Sequence, residues 1–179
     1  AYSITGYPGH GKTTLCLQFA LSVALGEDFA NREVSQGSVL IIAGENPDNL
    51  KWQYAAALAA RGLDPSEVPI YFKPGRFGIS SNIDELHDKM SNIPNLKLVI
   101  VDSLQSFFEG ENDNDNMQMV EMAHNMRSIT DIDTKPALLI IAHPAGKMPS
   151  KDNLVPRGGG AFLAEIDGNL TVWSSDGVD

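Results

Sequence analysis

Gly6-Tyr7-Pro8-Gly9-His10-Gly11-Lys12-Thr13-Thr14, GYPGHGKTT, is the stretch that decides the fold. Its first eight residues fit the pattern G-x-x-x-x-G-K-[ST], which a chain of this composition matches by chance about once in a hundred. A short β-leaning run, Ala1 to Thr5, precedes it, and an apolar run with helical spacing, Thr13 to Leu25, follows and closes at Gly26. Strand, glycine loop and helix in that order are the setting in which such a loop binds phosphate. Glycines let the backbone curl tightly and turn its N–H groups inward. The helix start adds the positive end of its dipole. In this arrangement Lys12 reaches the β and γ phosphates of a nucleotide and the Thr13 hydroxyl ligates Mg²⁺. Gly6, Pro8, Gly9, His10, Gly11, Lys12, Thr13 and Thr14 are therefore the expected phosphate-wrapping residues. His10 fills a variable position, to which no chemistry is assigned.

Working outward, Ser38–Ala43, Leu96–Val101 and Ala137–Ala142 are continuous apolar runs, the pattern of strands buried on both faces of a parallel sheet. Pro69–Lys73 and Leu170–Trp173 read as shorter strands. Helices are expected over Asp48–Arg61, stopped by Gly62, over Asn82–Asn92, with Asn82 as a cap, and over Asn114–Thr130. In the last of these, Met119, Met122, Ala123 and Met126 fall on one stripe, which reads as core packing. Strands alternating with helices predict an α/β fold: a mostly parallel central sheet with helices on both faces. Glu109–Asp113 and Pro144–Gly160 read as irregular. With no repeat, linker or low-complexity segment, residues 1–179 read as one domain.

The strand ends carry the remaining candidates. Leu98-Val99-Ile100-Val101 leads to Asp102, and ligands of open α/β sheets bind at the carboxyl edge of the strands. An acid there holds Mg²⁺ directly or through water. Glu45 follows the second strand in AGENP, and His143 ends another in IIAHPAGK. By position alone, Glu45 is equally a water-activating base or a turn acid before the next helix. His143 is equally a γ-phosphate contact or an ordinary surface histidine.

Composition narrows the classes. The chain has 179 residues, 42% of them hydrophobic, enough for a sizeable core. A net charge of -10 argues against a surface coated in positive charge for nucleic acid, so DNA binding would rest on a few placed cations. The lone cysteine, Cys16, excludes a disulfide framework within the chain, suits a reducing cytoplasmic setting, and reads as a small buried hydrophobe. No apolar stretch reaches the length of a membrane span. The start, strand-like and without Met, reads as that of a domain cut from a longer chain, with no signal peptide.

GYPGHGKTT, AGENP, LVIVDSLQSF, ENDND and LIIAHPAGK occur in the order found in RecA-like P-loop ATPases. The chain most resembles the plasmid replicative helicase RepA branch, the AAA_25 group, which is akin to DnaB-type hexameric helicases. VPRGGGAFLAEIDGNLTVW resembles that branch's closing stretch, a glycine-rich loop leading to a helix, an acid and a strand. The resemblance implies ATP and Mg²⁺ as ligands, Glu45 as the base that activates water, and His143 as the γ-phosphate sensor. It implies a homo-oligomeric ring, hexameric in DnaB-type relatives, with the nucleotide between subunits and a basic finger from the neighbour. Such a finger usually lies beyond the last strand, close to where this sequence ends, and Arg157 is the only arginine of the closing loop. Single-stranded DNA is an expected partner, with Lys147, Lys151 and Arg157 as possible DNA or interface contacts. Phe107 and Phe108 could stack on bases but read first as core, and Glu109, Glu111, Asp113 and Asp115 make a poor surface for a phosphate backbone. A DNA motor, an ATPase switch that does not translocate, and a metabolic kinase all remain open. The kinase lacks an arginine-rich lid.

Overall fold

The computed structural model describes residues 1–145 and 154–174. Among the described residues six strands form one sheet: β1 (Tyr2–Thr5), β2 (Ser38–Ala43), β3 (Ile70–Pro74), β4 (Leu96–Asp102), β5 (Ala137–Ala142) and β6 (Gly168–Thr171). Their spatial order is β3-β2-β4-β5-β1-β6, and every pairing is parallel. The helices are α1 (Lys12–Leu25), α2 (Pro47–Arg61), α3 (Ile83–Ser91), α4 (Asn116–Ser128) and α5 (Gly159–Ala164). This is the α/β architecture of a RecA-like P-loop core.

The apolar runs supply both faces of the sheet. Val39, Ile41, Leu98, Ile100, Leu139 and Ile141 pack with α1 and α2, through residues such as Leu17, Leu21, Leu50 and Leu58. Their sequence neighbours Leu40, Ile42, Val99, Val101, Leu138 and Ile140 pack with α3, α4 and α5, where the Met119, Met122 and Met126 stripe is buried as expected. Each such side chain withdrawn from water contributes about 2 kcal/mol. Chain direction explains the division. The path from β1 to β3 moves one way across the sheet and the path from β3 to β6 moves back, so right-handed crossovers put their helices on opposite faces. Cys16 is buried, and burial pushes its thiol up to about 12, so it packs as a hydrophobe.

Three expectations are corrected. Asn82 precedes α3 but makes no side-chain cap, because the 3-10 turn Ser80–Asn82 leads directly into the helix. Its amide donates to the Gly78 carbonyl instead, at 2.7 Å. α4 starts two residues later than expected because the Asp115 carboxylate accepts from the N–H groups of Met117 and Gln118. The last strand is Gly168–Thr171 rather than Leu170–Trp173, since its pairing window is set by the four residues of β1. A 3-10 turn at Leu104–Phe107 had no sequence signal, although Phe107 is core as read, its ring 5.3 Å from that of Phe77. Register aligns Ala43 with Asp102, Asp102 with Ile141, and Thr5 with Ala142. Gly6, Gly44, Ser103 and His143 therefore leave the sheet along one edge.

Candidate active site

Gly9 and Gly11 hold left-handed backbone, with φ of 81° and 84°, which a side chain would strain. Gly11 caps α1 without a side chain, and the first turn of α1 carries no acid. The opening N–H groups of α1 thus keep their capacity for an anion. Gly6 is required for a different reason: a Cβ there would lie 2.6 Å from the Val172 carbonyl oxygen, just past β6. Lys12 is buried, and its Nζ donates to the carbonyls of Gly6 at 2.7 Å and Tyr7 at 2.9 Å. An ammonium has three donors, so one is left for a phosphate oxygen. Burial lowers the Lys12 pKa, and the Asp102 and Glu45 carboxylates only partly oppose it.

Pro8, Gly9, Gly11, Lys12, Thr13 and Thr14 line a cleft of about 360 Å³ whose other walls include Glu45, Asp102 and His143. Gly6 contributes its carbonyl to Lys12 rather than a surface to this cleft. The His10 ring is not among the walls of this cleft. It turns away to Tyr7 and Trp173, each with centroids 5.4 Å distant, and its Nδ1 accepts from the Ser174 N–H at 3.1 Å. His10 thereby joins the tip of the loop to the segment that follows β6.

The Thr13 hydroxyl donates to Asp102 Oδ2 at 3.2 Å, so the two candidate magnesium ligands meet. Burial pushes the Asp102 carboxyl up to about 6, against the Thr13 hydrogen bond that favours its charged form. A desolvated carboxylate with so little compensation suits a cation. No cluster of three or more His, Cys, Asp or Glu placed for a metal occurs among the described residues. Two hard oxygen donors fit Mg²⁺, which takes its remaining ligands from phosphates and water.

Glu45 follows β2, and His143 follows β5. Glu45 Oε2 accepts from Ser103 Oγ at 2.8 Å and from His143 Nε2 at 3.3 Å. Burial raises the Glu45 carboxyl. The Ser103 and His143 hydrogen bonds, with the charges of His143 and Lys12, outweigh that effect and hold it below the usual range. An ionised carboxylate only accepts, so Nε2 carries the proton of this bond. His143 Nδ1 is buried and has no hydrogen-bond partner among the described residues. The His143 backbone is engaged as well: its N–H donates to Gln105 Oε1 at 3.3 Å and its carbonyl accepts from the Arg157 N–H at 2.9 Å.

Arg157 lies apart from the cleft and is ion-paired within the chain, Nη1 to Asp113 Oδ2 at 3.1 Å. Lys147 and Lys151 lie outside the described residues. Sequence reasoning passed over Asn46, Asn49 and Gln53, which line the cleft from α2 and its N-cap. Their spacing of three and four residues was the available signal. Ser103 and Gln105 had no local signal, because their partners lie 58 and 38 residues away. Among the described residues no helix is long and apolar enough to cross a membrane. With the glycine loop, the two oxygen ligands and the acid–histidine pair at one sheet edge, the match of residues 2–147 to the AAA_25 family model, described as an AAA domain, covers most of the chain, which therefore belongs to this family of P-loop NTPases.

Proposed function

We propose that the chain hydrolyses ATP with Mg²⁺ and serves as a motor domain, working as a ring of like subunits that moves along or unwinds DNA. The observation that carries hydrolysis is the joining of Glu45 to His143 in the cleft that also holds Lys12, Thr13 and Asp102. A carboxylate in this cleft can take the proton of an attacking water, and the arginine-rich lid that would favour an alcohol acceptor is missing from the sequence. In this reading the loop N–H groups and Lys12 hold the β and γ phosphates, and Glu45 takes a proton from the attacking water. Thr13 and Asp102 would hold Mg²⁺, which when bound neutralises phosphate charge. His143 exchanges its bond to Glu45 for one to the γ-phosphate. Adenine over guanine follows from the family, and the guanine-reading pattern N-K-x-D is absent from the sequence.

The motor role is supported by the two backbone bonds of His143. They run to Gln105, two residues before the loop Phe107–Asn116, and to Arg157, within the loop Pro144–Gly160, so the residue expected to sense the γ-phosphate is joined to one and to the approach of the other of the two loops that would face the channel of a ring. A second reading, an ATPase switch without translocation, is favoured by the Arg157–Asp113 pair, which occupies a cation otherwise available to DNA. ATP turnover with and without single-stranded DNA, alongside mass in solution with ATP, tests both. Stimulation in a ring is the expected result. Turnover in a ring that low-salt DNA leaves unchanged removes the motor and leaves the switch.

A further inference from the structure

We propose that Ser103 is a positioning residue for Glu45, holding one carboxylate oxygen so that the other faces the attacking water; this rests on the reading of Glu45 as the base. Ser103 is fully buried at the exit of β4, and its hydroxyl gives Glu45 Oε2 the shorter of that oxygen's two hydrogen bonds. Both bonds fall on Oε2, and Oε1 has no hydrogen bond among the described residues, in a side chain that lines the cleft. One anchored oxygen and one free oxygen is the arrangement a general base needs.

The anchor is rigid. The Gly44 and Glu45 N–H groups both donate to the Asp102 carbonyl, at 2.7 and 3.1 Å, so the turn bearing Glu45 and the segment bearing Ser103 are tied through their main chains. Arg76 Nε holds the Gly44 carbonyl at 3.1 Å. Behind the turn there is no slack, since a Cβ on Gly44 would fall 2.7 Å from both the Phe107 ring and Ser106 Cβ. The side chain of Glu45 is half exposed and has three rotatable bonds, so without an anchor it samples several rotamers. In the proposed role of His143, contact with the γ-phosphate takes Nε2 away from Glu45, so His143 would not serve throughout. Ser103 is the anchor that remains at that moment.

Steady-state kinetics and binding of a non-hydrolysable ATP analogue with Mg²⁺ test this on the full chain, with Ser103→Ala, Glu45→Gln and the double variant. Ser103→Ala is expected to lower kcat roughly 10- to 100-fold while KM and analogue affinity stay within about twofold. In the Glu45→Gln background, single-turnover rates are expected to show no further loss, because the group being aimed is gone. A Ser103→Ala kcat within about twofold of wild type overturns the proposal while the Glu45 reading stands. So does a loss of full size on top of Glu45→Gln, or a loss of analogue binding, either of which places the effect elsewhere. Undetectable wild-type turnover, or a Glu45→Gln variant that remains active, overturns the Glu45 reading and this proposal with it.

Discussion

The glycine loop and the turn that carries Glu45 stand at the same sheet edge, yet they are built in opposite ways. The loop is largely self-made: Gly9 and Gly11 provide its left-handed bends, and Lys12 is held by carbonyls five and six residues back. The Glu45 turn is made by others. Its N–H groups rest on the Asp102 carbonyl, Arg76 grips it, Phe107 and Ser106 close behind it, and Ser103 and His143 hold its carboxylate. A ligand-binding element can be encoded within nine residues. The carboxylate beside that loop is held by distant parts of the chain.

Lys12→Ala tests the self-contained side of this contrast and has the largest expected effect. It removes the only buried cation lining the cleft among the described residues, so turnover should fall by about three orders of magnitude or more and ATP binding should weaken. Turnover near wild type in that variant would remove the basis of the nucleotide site. Glu45→Gln should retain ATP binding and lose roughly 10²- to 10⁴-fold in kcat. A loss of only a few fold would make Glu45 a turn residue and collapse the contrast.

Gly44→Ala sharpens it from the packing side. The added methyl meets Phe107, a core residue that cannot move far, so overpacking should cost about 1–3 kcal/mol in denaturant unfolding. ATP-analogue affinity should stay near wild type while kcat falls, because the glycine loop is untouched. Equal damage to binding and turnover would show that the two regions are not independent.

The smallest expected effect concerns Asp102, where the regions meet. Its carboxyl is pushed up to about 6 by burial, above the 3.8 of an unperturbed Asp. Between those values the native state binds more protons than the unfolded chain, so nucleotide-free stability falls as pH rises through this window. Asp102→Asn should therefore stabilise the nucleotide-free protein by about 1–2 kcal/mol at pH 8, with the gain vanishing below about pH 4. Chemical denaturation at the two pH values measures it. An equal change at both would assign the effect to packing rather than to the buried charge.

The strands and helices were legible because each is signalled by residues close in sequence. Fully apolar runs such as Val99 to Val101 mark strands covered on both faces, and the Met119–Met126 stripe marks a buried helix face. The errors fall at element ends, where a neighbour decides: Asp115 sets the start of α4, and the length of β1 sets that of β6. At the site, the glycine loop and Asp102 announced themselves, while position alone left Glu45 and His143 ambiguous, and the fold joins the two side chains in the cleft. His10 belonged to the motif by position, yet its ring is held by Trp173 and Ser174 far along the chain.

Sequence alone therefore carried the parallel α/β core, the phosphate-binding loop and the acid at the end of β4, since backbone conformation and hydrophobic periodicity are local properties. The pairing of Glu45 with His143 and Ser103, the attachment of Arg157 to Asp113, and the turning of His10 out of the cleft emerged only on folding. Each depends on strand order and register, which bring residues 44, 58, 98 and 164 positions apart to within hydrogen-bond reach. Contacts at such separations leave no periodic trace in the chain that makes them.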